Sequence, residues 1–281
     1  MKTLTLDDGR ELAYEEFGDP AGRPVVFHHG TGDSRLARHP DESLTADAGV
    51  RLLTVDRPGV GASTRLPDRS LLDWPADLER LADELGLETF AVAGWSGGGP
   101  HALASAHALG DRVSRAVLAS PLAPFDRPGT RDLVENSDLR MIWRLSHAKW
   151  IAGAAARVEG RQALRDLHKF VESIADDAPA DKDVLCDPGL EPMFEEEMGE
   201  ALSQHGAGVL DDMWAFLDWG FAPEDVARPV SLFYGDADQI LAPQMYRELA
   251  ERLPQCEVSS WPGGGHYALF HHWPELLAAP A

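Results

Sequence analysis

The chain has 281 residues, 44% of them hydrophobic and eight of them tryptophan, which is ample apolar volume for one large core and excludes wholesale disorder. Its 47 acidic against 25 basic residues leave a net charge of −22, which argues against nucleic acid or an anionic membrane as partner, because both need positive patches. Two cysteines, Cys186 and Cys256, stand far apart and in no metal-ligand spacing, so no disulfide framework is expected and a reducing compartment fits.

The opening stretch, MKTLTLDDGRELAY, alternates like an edge strand and lacks the apolar run of a secretion signal. No later run is long enough to span a bilayer, and the expectation is a cytoplasmic protein. TLTL and ELAYEEFG read as two strands around an Asp7-Asp8-Gly9 turn. PVVFHHG and RLLTVDRPG are short continuous apolar runs, as expected of strands buried on both faces of a parallel sheet. A helix follows in DWPADLERLADELG, with Leu78, Leu81 and Leu85 on one face and Gly86 as the stop. Then come the strand TFAVAG, the helix GPHALASAHALG and the strand SRAVLAS. This alternation argues for an α/β fold with a mostly parallel sheet. From about Leu122 to Ala227 the patterns are almost all helical, with Leu164, Leu167, Val171 and Ile174 predicted on one face. RPVSLFYGDAD returns as a buried strand, followed by the helix PQMYRELAERLP, the strand CEVSSW and a closing helix in HYALFHHWPELLAA. One core sheet with a helical insertion is the simplest account.

Gly94-Trp95-Ser96-Gly97-Gly98 matches the G-x-S-x-G elbow, and it falls where a strand is predicted to turn into a helix. The spacing has a steric reason. A serine projecting above the sheet needs strained backbone angles, and side chains at Gly94 or Gly98 would meet the adjoining strand and helix. A serine hydroxyl needs a base. Most of the eleven histidines need no catalytic reading; His107, for example, falls within the helix after the elbow, and His271 and His272 within the last helix. His266 lies on the glycine-rich loop WPGGGHYALF directly after the last strand, at the sheet edge where such folds hold ligands. An acid to fix the imidazole tautomer is offered by FYGDADQILAP, which carries Asp236 and Asp238. Asp238, further past the strand end, is preferred. The amide of Gly97 and that of Thr31, in the Gly30-Thr31-Gly32 loop, are the candidate donors for an oxyanion. His28 and His29 are neighbours on a strand and point to opposite faces, which speaks against one shared metal ion.

Taken together, HHGTGDSR, DRPGVGAS, GWSGGGPHALA, and GDADQILAP followed by GGGH resemble, in order, the motifs of the α/β-hydrolases, a family that includes esterases, proline iminopeptidases and carbon–carbon bond hydrolases. The resemblance covers roughly residues 20–121 and 229–275. It implies an eight-stranded, mostly parallel sheet whose second strand is antiparallel, with core residues 1–121 and 229–281 and a helical cap over 122–228. It also implies Ser96 as nucleophile, Asp238 as acid and His266 as base, with no cofactor and no metal. The loop departs from many relatives in having Gly32 where they carry proline.

The bulky apolar residues of the insertion, among them Met141, Trp143, Trp150, Met193, Phe194, Met213, Trp214, Phe216 and Trp219, would suit a hydrophobic small-molecule substrate, although cap helices must bury one face in any case. The acidic stretch EPMFEEEMGEAL reads as a solvated helix face, with Phe194, Met198, Ala201 and Leu202 turned inward and Glu195 and Glu197 flanking them. The leading functional expectation is a carboxylesterase-like serine hydrolase working through an acyl-enzyme. A proline iminopeptidase, a carbon–carbon bond hydrolase and a non-catalytic ligand-binding protein are the alternatives.

Overall fold

The computed structural model describes residues 1–136, 140 and 143–279. Eight strands form one sheet: β1 (Lys2–Thr5), β2 (Glu11–Gly18), β3 (Arg23–His28), β4 (Val50–Val55), β5 (Phe90–Trp95), β6 (Val113–Ala119), β7 (Val230–Gly235) and β8 (Cys256–Trp261). Their order is β1-β2-β4-β3-β5-β6-β7-β8. β2 runs antiparallel to both neighbours, pairing Leu12 with Leu4 and Tyr14 with Val55, and the remaining pairs are parallel. The hairpin turn places β1 and β2 at one edge, residues 19–22 turn the chain past β4 into β3, and the strands after β3 are reached by crossovers.

Strand periodicity sorts the core into two layers. Val26 and Val92 face one side with Trp74, Leu78 and Leu81 of α2 (Trp74–Glu84) and Leu103 of α3 (Gly98–Ala108). Their neighbours Val25, Phe27, Ala91 and Ala93 face the other, with Trp273, Leu276 and Leu277 from near the C-terminus. β5 is buried at all six residues, which is why it reads as a continuous apolar run. Each large side chain buried in this way contributes about 1.5–3 kcal/mol of transfer free energy. Glycine, alanine and serine dominate α3, so its backbone approaches the sheet closely at the end of β5.

Between β6 and β7 lie α4 (Lys149–Ala163), α5 (Leu167–Asp177), α6 (Lys182–Leu185), α7 (Glu191–Ala201) and α8 (Ala207–Ala215). The face predicted to run continuously from Leu164 to Ile174 is broken. Leu164 caps α4, and Asp166 starts α5 by accepting the Lys169 N–H, so local capping overrides the periodicity. The solvated-face reading of the acidic stretch is also corrected: Glu197 is fully buried, and Glu200 pairs with Arg35 at 2.6 Å. Met141 lies outside the described residues. After β7 comes α9 (Pro243–Arg252). The closing helix divides into a short 3₁₀ turn, Ala268–Phe270, and α10 (Trp273–Ala278), because Pro274 favours a fresh start in the first helical turn. His271 and His272 therefore sit between the two pieces. A short helix over Glu42–Asp47, α1, has no counterpart among the predicted elements. No helix of the described residues is long and apolar enough to cross a membrane.

Candidate active site

Three chain segments meet at the carboxyl edge of the sheet, and the strand order explains why: β5, β7 and β8 all end there. Ser96 follows β5 with φ +53°, a left-handed conformation that costs a non-glycine residue on the order of 1–3 kcal/mol. The surroundings hold it there. Its N–H donates to Ala119 O at 3.0 Å, and its carbonyl accepts from Gly99 N and Leu122 N at 3.0 and 3.1 Å. A Cβ on Gly94 would overlap the backbone of Gly98 in α3, and a Cβ on Gly98 would overlap the carbonyls of His28 and His29. The two flanking glycines are thus required by helix and strand respectively, as the spacing predicts. Gly97 lies against the Thr31 hydroxyl, so a Cβ there would collide with Thr31 Oγ1.

Asp238 is buried and fully engaged. Its Oδ1 accepts the N–H groups of Ile240 and Leu241 at 2.8 and 3.0 Å. Its Oδ2 accepts His266 Nδ1 at 2.7 Å and the Tyr246 hydroxyl. Among the described residues, the side-chain hydrogen bonds of the His266 imidazole are made at Nδ1. Asp236, the other candidate acid, is exposed and instead accepts the Gly263 N–H at 2.6 Å. Burial pulls the His266 imidazole toward its neutral form, yet Asp238, Asp181 and Asp33 outweigh that pull and its pKa lies above the ordinary 6.5.

A cavity of about 460 Å³ is lined by Thr31, Ser96, Gly97 and His266, so four of the five predicted site residues border one space, with Asp238 directly behind His266. Its apolar wall comes from Leu122, Trp143, Phe170, Met213 and Phe216. Of the insertion residues named from the sequence, Trp143, Met213 and Phe216 reach it, whereas Trp150 is exposed and Phe194 packs on Tyr267 and Phe270. Its carboxyl groups are those of Asp33, Glu135 and Asp177, and no lysine or arginine lines it among the described residues.

Two buried polar clusters, one of them reaching the cavity at Asp33, were not legible in the sequence. Asp33 faces Glu197 across the junction with α7, and with both groups written as carboxylates Glu197 Oε1 has no donor among the described residues. Burial, joined by the neighbouring carboxyl, pushes Glu197 well above the carboxylate range, and burial raises Asp33 to about 6. Two like charges this close cannot both ionise cheaply, so the pair shares a proton near neutral pH. Arg57 donates to Asp212 at 2.8 Å and to the carbonyls of His29 and Gly30 at 2.6 and 2.8 Å, bracing the end of β3. His28 and His29 direct their Nδ1 atoms to different carbonyls, Ala93 O and Gly30 O. The metal-like grouping among the described residues lies elsewhere, where Glu191 and Glu195 both pair with the exposed His168.

A family model described as the alpha/beta hydrolase fold matches residues 23–272. The chain belongs to the α/β-hydrolase fold family. Within that family it is 35% identical over 126 residues to a non-heme chloroperoxidase of Streptomyces lividans, covering 44% of this chain and 46% of the relative. It is 34% identical over 124 residues to a proline iminopeptidase of Xylella fastidiosa (strain 9a5c), covering 41% and 37%. Each of these matches spans less than half of the relative. Solved α/β-hydrolase structures align across nearly the whole chain: an esterase from Thermogutta terrifontis has a TM-score of 0.69 at 21% identity, covering 99% of this chain and 96% of that one. An esterase from Exiguobacterium antarcticum has a TM-score of 0.71 at 18% identity, again covering 99% and 96%. Likeness at this level establishes the shared fold.

Proposed function

We propose that this α/β-hydrolase is a serine hydrolase that cleaves carboxylic esters of small to medium hydrophobic substrates. Ser96 is the nucleophile, His266 the base and Asp238 the acid that orients it. The helical segment between β6 and β7 is a cap over the cavity. The observation that carries this reading is the His266–Asp238 bond of 2.7 Å, made at Nδ1, with His266 and Ser96 lining one cavity.

In this mechanism the Ser96 oxygen attacks the ester carbonyl while its proton passes to His266 Nε2. Negative charge gathers on the carbonyl oxygen and is met by the amides of Gly97 and Thr31 and by the N-terminus of α3. Collapse expels the alcohol, which takes the proton from His266. Water then enters, gives a proton to the same nitrogen and releases the acid, restoring Ser96. The carboxylates around His266 stabilise the imidazolium of both steps.

A second reading is an aminopeptidase of the proline iminopeptidase type. It is favoured by the cavity carboxyl groups Asp33, Glu135 and Asp177, unbalanced by lysine or arginine among the described lining residues, which would suit a protonated amine. Side-by-side assay of p-nitrophenyl esters and aminoacyl arylamides separates the two. The Ser96→Ala variant is expected to lose at least about three orders of magnitude in turnover and all fluorophosphonate labelling. Retention of most of the activity would remove Ser96 as nucleophile, and labelling without multiple turnover would point to a ligand-binding protein.

A further inference from the structure

The loop carrying His266 has no regular secondary structure between β8 and the 3₁₀ turn at Ala268, so its backbone groups need partners from elsewhere. One of them comes from the inserted helical segment. Asp181, at the end of the short turn Pro179–Asp181, is completely buried. Its Oδ2 accepts the N–H of His266 at 2.9 Å and its Oδ1 accepts the N–H of Tyr267 at 2.6 Å. The third glycine of the GGGH motif makes room for this carboxylate, because a Cβ on Gly265 would overlap it. On the other side of the same peptide unit, Trp95 Nε1, from the strand that leads into Ser96, donates to His266 O at 3.0 Å. The Pro179–Asp181 turn is tied to the acid loop as well, since Ala180 N donates to Gln239 Oε1 at 3.1 Å.

We infer that Asp181 is a positioning residue for His266, through which the inserted segment fixes both the place and the charge preference of the imidazole. This rests on the reading of His266 as the base. With Asp181 on its N–H, Trp95 on its carbonyl and Asp238 on Nδ1, the imidazole has little freedom except at Nε2, the atom that must meet the serine proton. Because both Asp181 oxygens accept N–H bonds, the group acts as a carboxylate, and its charge adds to that of Asp238 in favouring the imidazolium. Among the described residues, the other ionisable groups facing His266 include Asp33 from the loop after β3, Tyr246 from α9 and the adjoining Tyr267. Displacing the Pro179–Asp181 turn would therefore free the base, so movement of the cap and readiness of the base are linked.

The test is Asp181→Asn in the full chain, with steady-state kinetics on p-nitrophenyl esters from pH 5 to 9. The expected result is a kcat lower by about tenfold to a hundredfold with KM within about twofold, as for a small misplacement of a reacting group. The acid limb of the profile is expected to move to lower pH, because a negative charge has left the surroundings of the imidazolium. Unchanged kinetics, or a loss of kcat with the acid limb unmoved, would overturn the inference. Amide hydrogen exchange on the unsubstituted protein gives a second readout that does not need the variant to fold. The His266 and Tyr267 amides are expected to exchange much more slowly than that of Gly265, and free exchange at both would refute the clamp. Absence of Ser96-dependent turnover in the unsubstituted protein would instead remove the hydrolase reading, which separates the two failures.

Discussion

Tyr246 and His266 share one acceptor: the tyrosine hydroxyl and the imidazole Nδ1 both donate to Oδ2 of Asp238, and the two donors lie 3.5 Å apart. Burial and the adjacent Asp238 hold the Tyr246 pKa well above its usual value, so the hydroxyl keeps its proton and donates. Tyr246 is thus part of what stabilises the carboxylate that orients the imidazole.

Replacing Tyr246 with phenylalanine removes this donor and leaves the Oδ2 charge concentrated on His266. The acid limb of the pH–rate profile is expected to move to higher pH, opposite in direction to Asp181→Asn. Stability is expected to fall by about 1.5–3 kcal/mol, the range for a hydrogen bond to a charged group. Urea titration and a pH profile on one ester measure both. A limb that stays in place would mean that Tyr246 only fills space.

The Asp33–Glu197 pair makes stability depend on pH. Folded Asp33 holds its proton up to about pH 6, whereas its ordinary value is 3.8. Between these values the folded chain binds more protons than the unfolded one, so the favourable contribution is complete below pH 3.8 and lost as pH rises through about 6. Glu197→Gln replaces the group that holds the shared proton with a neutral amide that presents an N–H to Asp33 at any pH. The Tm at pH 8 is expected to rise by about 2–4 °C, and by much less at pH 4. A lower Tm at pH 8 would show that the pair is not under electrostatic strain.

Asp212 tests the reverse case, a buried charge that is fully paired. It accepts from Arg57 at 2.8 Å and Arg69 at 2.6 Å, with His101 Nε2 at 3.3 Å. Although burial opposes its charge, the two guanidinium groups and His101 hold its pKa well below the carboxylate range. Asp212→Ala would leave the buried Arg57 without its carboxylate and Arg69 with Asp211 at 3.5 Å, and is expected to cost about 3–5 kcal/mol, read by chemical denaturation. Because Arg57 also braces the carbonyls of His29 and Gly30, turnover should fall with stability. A loss below about 1 kcal/mol would mean that water reaches the cluster.

Much of the frame was readable from residue order alone. The buried runs at Val25–Phe27, Leu52–Val55 and Ala91–Ala93 announce interior strands, since only strands covered on both faces tolerate continuous apolar residues. The elbow at Ser96 was legible for a similarly local reason: glycine is the residue that lets a strand end and a helix start pass so close together. Asp238 and His266 were legible because each follows a strand end within a few residues, and parallel strands deliver their ends to one rim. What the tertiary structure alone decided is how that rim is held. Asp181 lies 85 residues from the histidine whose backbone it caps, and Glu197 is 163 residues from Ser34, whose N–H it accepts. On a helical wheel Glu197 looks like a flanking surface charge; it is buried because α7 docks against the loop after β3. Periodicity reports how one element divides between water and core, but a buried carboxylate is explained by its partner. Only folding brings that partner near.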